Sequence, residues 1–127
     1  MNNRTTLERR EPERAALERR WLRLTRETLP GLAAEQPWPV RFDHCFQRIL
    51  LDHACGTVWY DRIDRRPAYT HAPDDILESA VALGERIAKG ESDLDALNRQ
   101  SLEWRGKAAA RTRSQRPLAR ASRRCDP

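Results

Sequence analysis

The sequence predicts an all-α fold, a compact bundle of about four or five helices with flexible basic termini. Apolar residues recur at spacings of about 3.6 in several segments, and Gly and Pro residues separate those segments. No segment alternates apolar and polar residues over the length that a strand needs. The chain has 127 residues, which is enough for one hydrophobic core and too few for a two-domain enzyme.

We expect three parts along the chain: a flexible arm over residues 1–12, a single helical domain over residues 13–106 and a disordered basic tail over residues 107–127. The tail is mainly Ala, Arg, Ser and Pro, so it has little apolar surface to bury. Formal net charge is +3 over residues 1–30, −4 over residues 31–106 and +6 over the tail. The basic residues are therefore concentrated at the ends, and nucleic-acid binding is expected only weakly, through the termini.

The first predicted helix covers residues 13–29 and ends at Pro30-Gly31, with Glu and Arg spaced for i, i+4 ion pairs. A connector over residues 32–40 follows, and its two prolines on either side of Trp38 enforce extended backbone. We expect Trp38 to pack against the domain. The apolar stripe of the helix comprises Leu17, Trp21, Leu24 and, at its end, Thr28 or Leu29.

Residues 42–55 (FDHCFQRILLDHAC) are predicted to form the central helix, because this segment alone is rich in both apolar and chemically functional side chains. Asp43 is a plausible N-cap and Gly56 a C-terminal stop. Leu51 falls on the polar side, so we expect neighbours to contact this helix on several sides. One face of the helix is shared by Cys45, Phe46, Ile49, Leu50 and His53.

The second half of the chain is predicted to contain further helices. Residues 58–63 suggest a short helix or a kinked continuation of the central one. Another helix opens at Pro73, with acidic residues in its first turn, and ends at Gly90. A capping-box-like start at Ser92 leads into the last helix, which runs to Gly106.

Cysteine usage and hydropathy predict a soluble, cytoplasmic protein. The three cysteines are odd in number and lack CxxC spacing, which is typical of a reducing compartment. No apolar run approaches the length of a membrane span, and the first residues form no secretory signal, so no membrane partner is expected.

A metal site is not predicted. His44 and Cys45 are separated from His53 and Cys55 by distances of roughly 12 to 17 Å along one helix, too far to share one ion. We interpret His53 as a core histidine that donates to a backbone carbonyl, and the cysteines as small hydrophobic residues.

The best candidate for a working face is the row His44, Arg48 and Asp52, joined by Asp43. Its i, i+4, i+8 spacing places a titratable imidazole and a fixed cation beside carboxylates, so His44 and Asp52 are candidate catalytic residues and the whole row is a candidate binding site. The structural alternative is an ion-pair ladder between Arg48 and Asp52 that also bridges to neighbouring helices.

Trp59 and Tyr60 are the other candidate binding residues. Three arginines follow them, a mixture found in proteins that bind single-stranded nucleic acid. Asp61 and Asp64 nearly cancel that charge, which favours core packing of Trp59 and a capping role for Tyr60.

No GxSxG, Walker, GxGxxG or HExxH motif is present, so an enzymatic function stays uncertain. The segments TRETLPGLAAEQPWPVRFDHCFQRILLDHACGTVWYD and LNRQSLEWRGK resemble short, mostly bacterial proteins that are often labelled GNAT-type N-acetyltransferases. The resemblance covers about residues 24–107 and implies acetyl-CoA as donor and a primary amine as acceptor. It assigns no catalytic residue, because the Gln/Arg-x-x-Gly-x-Gly/Ala pyrophosphate loop of those enzymes does not occur here.

We therefore hold two main hypotheses: a small helical binding module that uses the His44, Arg48 and Asp52 face or the region of Trp59 and Tyr60, and, as an alternative, an N-acetyltransferase. The partner would be a macromolecule or a small ligand. A homodimer through the Leu17, Trp21 and Leu24 stripe is also possible, since so small a bundle can leave apolar surface exposed.

Overall fold

The computed structural model describes residues 3–115, and the side chains of residues 12–110. These residues form an all-α bundle, which confirms the predicted fold class, and residues 3–115 contain no strand. Within them, no helix has the length and apolar character needed to cross a membrane. In chain order the elements are α1 (Asn3–Arg23), a π-helical segment (Leu24–Thr28), α2 (Leu29–Ala33), α3 (Asp43–Cys55), a 3₁₀ turn (Trp59–Asp61), α4 (Ala68–His71), α5 (Asp74–Ala88) and α6 (Leu94–Gln115).

Helical backbone continues past both limits predicted for the domain, residues 13 and 106. The first helix begins at Asn3 and α6 ends at Gln115. The flexibility expected of the N-terminal arm and of the basic tail stays a prediction, and most of the tail lies outside the described residues.

The predicted helix end at Pro30 is wrong, because the chain passes through the π-helical segment and continues as α2 to Ala33. Pro30 stands in the first turn of α2, directly after the π-helical segment. The N–H of Leu29 donates to the carbonyl of Leu24, five residues back, which is the π-helical spacing. The predicted stripe is buried within this chain, so it offers no apolar face to a homodimer: Leu17, Trp21, Leu24 and Leu29.

Helix α3 lies at the centre of the bundle, as predicted, and packs against α2, the π-helical segment, the 3₁₀ turn, α5 and α6. It ends at Gly56, whose φ of 75° is left-handed and whose N–H donates to carbonyls of the last turn. Asp43 is the first helical residue, with Phe42 at the capping position. Its Oδ1 accepts the N–H of His44 at 2.8 Å. The buried apolar residues of α3 are Phe46, Ile49, Leu50, Leu51 and Cys55.

The connections agree with the sequence in part. Trp38 packs as expected, with its ring centroid 5.9 Å from that of Phe46. The short helix predicted after α3 is the 3₁₀ turn, whereas α4 was not predicted. The side chain that caps α6 is Asp93 and not the predicted Ser92, since Asp93 Oδ1 accepts the N–H of Ala96 at 3.2 Å.

Helix α5 approaches the π-helical segment most closely at Gly84. A Cβ atom there would overlap Cδ2 of Leu24 and lie 3.0 Å from Cδ1 of Leu50. The absence of a side chain at this buried position therefore lets the two elements pack in contact. The other buried residues of α5 are Leu77, Ala80, Val81, Leu83 and Ile87.

Candidate functional site

A fully buried carboxylate, that of Asp52, joins α3 to α6 and to the 3₁₀ turn. Its Oδ2 accepts from the Ser101 hydroxyl at 2.6 Å and from Arg105 Nε at 3.0 Å. Its Oδ1 accepts the backbone N–H of Trp59 at 2.9 Å and lies 3.4 Å from Arg105 Nη2. Each carboxylate oxygen thus has a short bond to a buried donor, as a buried charge requires.

Arg48 extends this network toward the start of α6. It is only 2% exposed, and its guanidinium donates to Ser101 Oγ at 2.9 Å and to Asn98 Oδ1 at 2.6 Å. The Ser101 hydroxyl therefore relays between Arg48 and Asp52, accepting from the first and donating to the second. We call Arg48, Asp52, Asn98, Ser101 and Arg105 the buried polar cluster.

The buried polar cluster contains two guanidinium groups and one carboxylate. Arg105 pairs with Asp52 directly, whereas Arg48 reaches Asp52 only through the Ser101 hydroxyl. Nε of Arg48 is buried and has no hydrogen-bond partner among the described residues. Removing the Asp52 carboxylate would take away the anion that pairs with Arg105.

Arg105 links the buried polar cluster to the surface. Its side chain is 15% exposed, and its Cζ lies 5.5 Å from the ring centroid of Tyr60, which is 39% exposed. The Tyr60 and Trp59 rings pack edge to face, with their centroids 5.5 Å apart. Arg66 Cζ lies 4.9 Å from the centroid of the Trp59 ring. We call Trp59, Tyr60, Arg66 and Arg105 the arginine–aromatic cluster.

The structure brings together two sets of candidate residues that the sequence treated separately. Asp52 bonds the backbone of Trp59 and the guanidinium that lies over Tyr60, so both sets belong to one assembly. Trp59 is packed in the core, as the sequence favoured. Tyr60 is partly exposed, and the Arg105 guanidinium lies over its ring, while the capping role expected of Tyr60 stays a prediction.

The row His44, Arg48 and Asp52 runs from the surface into the interior. The side chain of His44 is 43% exposed, and its ring stacks on Phe42 at 5.8 Å. Its Nδ1 lies 3.6 Å from Asp43 Oδ1, too far for a good hydrogen bond. Only this first residue of the row can touch a partner directly. Arg48 and Asp52 are almost completely buried, and both hydrogen-bond to Ser101 of α6. This bridge to a neighbouring helix is the part of the structural alternative that the structure contains.

His53 occupies the position expected of a core histidine. Its Nε2 lies 2.8 Å from the carbonyl oxygen of Leu97, and since a carbonyl can only accept, Nε2 carries the proton. Its ring also packs on Trp104 at 4.9 Å. Among the described residues, no group of three or more His, Cys, Asp and Glu is placed to hold a metal ion.

Cys55 is a buried free thiol, as the sequence predicted. Burial and, second to it, the charge of Asp52 raise its pKa from 9.0 to about 11, while Arg62 acts in the opposite direction. The protonated thiol is a poor nucleophile and a poor metal ligand at neutral pH. Cys45 is only partly buried, while Cys125 lies outside the described residues.

Sequence reasoning missed the α6 half of the site. Asn98, Ser101 and Arg105 are spaced i, i+3, i+7 and therefore share one helical face, which was a usable signal. The last helix was expected to end at Gly106, whereas α6 continues to Gln115.

Comparisons of the chain with models of protein families, with curated proteins and with solved structures find no match. Its function has to be argued from the geometry above.

Proposed function

We propose that the protein is a small helical binding module whose contact face lies over the seam between α3 and α6. His44 stands at one end of this face, and Tyr60 with Arg105 at the other. Arg48 and Asp52 support the seam from beneath. The positions of His44 and Asp52 are about 12 Å apart along α3, at about 1.5 Å per residue.

The observation that carries this proposal is the chain of contacts from Asp52 through Arg105 to Tyr60. A buried carboxylate fixes the guanidinium, and the guanidinium lies over a partly exposed aromatic ring. Side chains held in place before binding lose less conformational entropy when a partner arrives. Tyr and Arg are also the residue types that most often dominate the energy of protein–protein interfaces, so we infer a protein partner.

Two exposed apolar side chains support the same face. Leu102 is 49% exposed and precedes Arg105 by one turn of α6, while Phe42 is 65% exposed and stacks on His44. A partner that covered either residue would remove apolar surface from water, worth roughly 25 cal/mol per Å² before the entropic cost of association.

Geometry gives no support to the alternative of N-acetyl transfer. The resemblance implies a mixed sheet that splays around acetyl-CoA, and residues 3–115 contain no strand. Nucleic-acid binding through the termini concerns residues that lie largely outside the described part of the chain. We also expect the protein to act in the cytoplasm, because Cys55 is a free thiol, as in a reducing compartment.

The proposal is tested by comparing three baits in quantitative affinity enrichment from cell extract: the wild type, Tyr60→Ala and Glu78→Ala. Glu78 is an exposed residue of α5 and serves as the control. A genuine partner is retained by the wild type and by Glu78→Ala and lost by Tyr60→Ala. Each candidate is then purified and its dissociation constant measured directly. If every protein that binds with micromolar or better affinity binds Tyr60→Ala equally well, this face is not the contact surface.

A further inference from the structure

A second region of the molecule has the features of an anion site. A cleft of about 380 Å³ lies between the end of α1, the π-helical segment and the end of α5. Its volume is within the range of small-molecule sites, which is about 300 to 1,000 Å³. Leu24 and Ala88 supply apolar surface, and Thr28 adds a hydroxyl. None of these residues belongs to the face proposed above.

The cleft has an excess of positive charge. Its lining includes the cations Arg20, Arg23 and Lys89 and the carboxylate of Glu85, a net charge of +2. Arg20 Nη2 pairs with Glu85 Oε2 at 2.9 Å across the opening. Arg23 and Lys89 thus add positive charge that Glu85 does not balance. Lys89 stands at the C-cap of α5 and Arg23 in the last turn of α1, where cations are favourable, and both of these helix ends line the same cleft.

The local backbone explains how the cleft arises. The π-helical segment places both Leu24 and Thr28 in its wall, and such segments occur frequently at functional sites. Gly84 lets Leu24 pack directly against α5, which holds the two walls together beside the cleft.

We propose that this cleft binds a small molecule carrying a phosphate monoester and a compact apolar group. A phosphate dianion neutralises the net charge of the lining, with Arg23 and Lys89 as its cationic contacts. The apolar group lies against Leu24 and Ala88. A carboxylate monoanion neutralises only half of the charge and binds less tightly.

Isothermal titration calorimetry on the full chain at low ionic strength tests this proposal, with phenyl phosphate as the probe. Inorganic phosphate and benzoate are the comparators, since each lacks one of the two features. We expect phenyl phosphate to bind most tightly. Arg23→Gln/Lys89→Gln should weaken it about fivefold, because this change removes both cationic contacts of the phosphate. Ala88→Leu, which fills the cleft without changing its charge, should weaken it as well.

The matched control is Arg99→Gln/Lys107→Gln, which removes the same charge from exposed positions of α6. Its affinity for phenyl phosphate should equal that of the wild type. Equal weakening in both double variants would show general attraction to a basic protein and would overturn the proposal. Absence of binding to the wild type, or unchanged affinity in Ala88→Leu, would overturn it too.

Discussion

Replacing Asp52 by Asn should destabilise the fold severely. The carboxylate accepts from Ser101, Arg105 and the Trp59 backbone at 2.6 to 3.0 Å. An amide of the same shape can accept at one end only, and in either orientation its NH₂ group faces a donor. The change also removes the anion that pairs with the nearly buried guanidinium of Arg105 at 3.0 Å. Removing one partner of a buried ion pair typically costs about 3–5 kcal/mol, and we expect a loss in that range.

Urea unfolding at pH 7, followed by circular dichroism, measures this loss. With an m-value of about 2 kcal/mol/M, the midpoint should fall by about 2 M. Glu91→Gln makes the same chemical change at an exposed site and should alter the free energy of unfolding by no more than about 0.5 kcal/mol. A loss below about 1 kcal/mol for Asp52→Asn would refute the view that this carboxylate organises the α3–α6 seam.

Three further outcomes are expected. Gly84→Ala should lower the free energy of unfolding in urea by about 1 kcal/mol, because overpacking outweighs the gain in helix propensity. Gly106→Ala should stabilise the protein, because a Cβ there meets no atom within 4 Å. A change of the same sign in both variants would contradict this packing. In a Cys45→Ser/Cys125→Ser background, the rate of Cys55 alkylation should rise only as pH approaches about 11. The stability that the neutral thiol contributes is complete below pH 9.0 and is lost as pH rises through about 11. An alkylation midpoint near pH 9.0 would count against the burial of Cys55. Excess acetyl-CoA should leave the Tm unchanged. If acetyl-CoA did bind, a concentration of about 100 times its Kd would stabilise the protein by about 2.7 kcal/mol, and that result would restore the transferase hypothesis.

Local chemistry made much of the fold predictable. Gly56 ends α3 because glycine tolerates the left-handed conformation, and the stripe containing Trp21 marked a buried helix face. The continuation through Pro30 was not predictable in the same way. It depends on a π-helical hydrogen bond that neither spacing nor propensity specifies, whereas proline beside glycine usually ends a helix.

The candidate site could be predicted only from its α3 side. The row containing Arg48 and Asp52 was visible in the sequence, but the partners of both residues lie about 50 positions away on α6. Only the packing of α6 on α3 decides whether such a row faces water or a neighbouring helix. A polar row at helical spacing looks the same in either case.

The central claim, that the protein binds a partner through the face around Tyr60, is tested most directly by one dissociation constant. For the partner defined by differential enrichment, Tyr60→Ala should raise Kd by about tenfold or more, since a central Tyr contact is commonly worth at least about 1.4 kcal/mol. Glu78→Ala should leave Kd unchanged, and both variants should keep a cooperative urea transition, so that a change in Kd does not reflect unfolding. A Kd for Tyr60→Ala within about twofold of the wild type would contradict the claim.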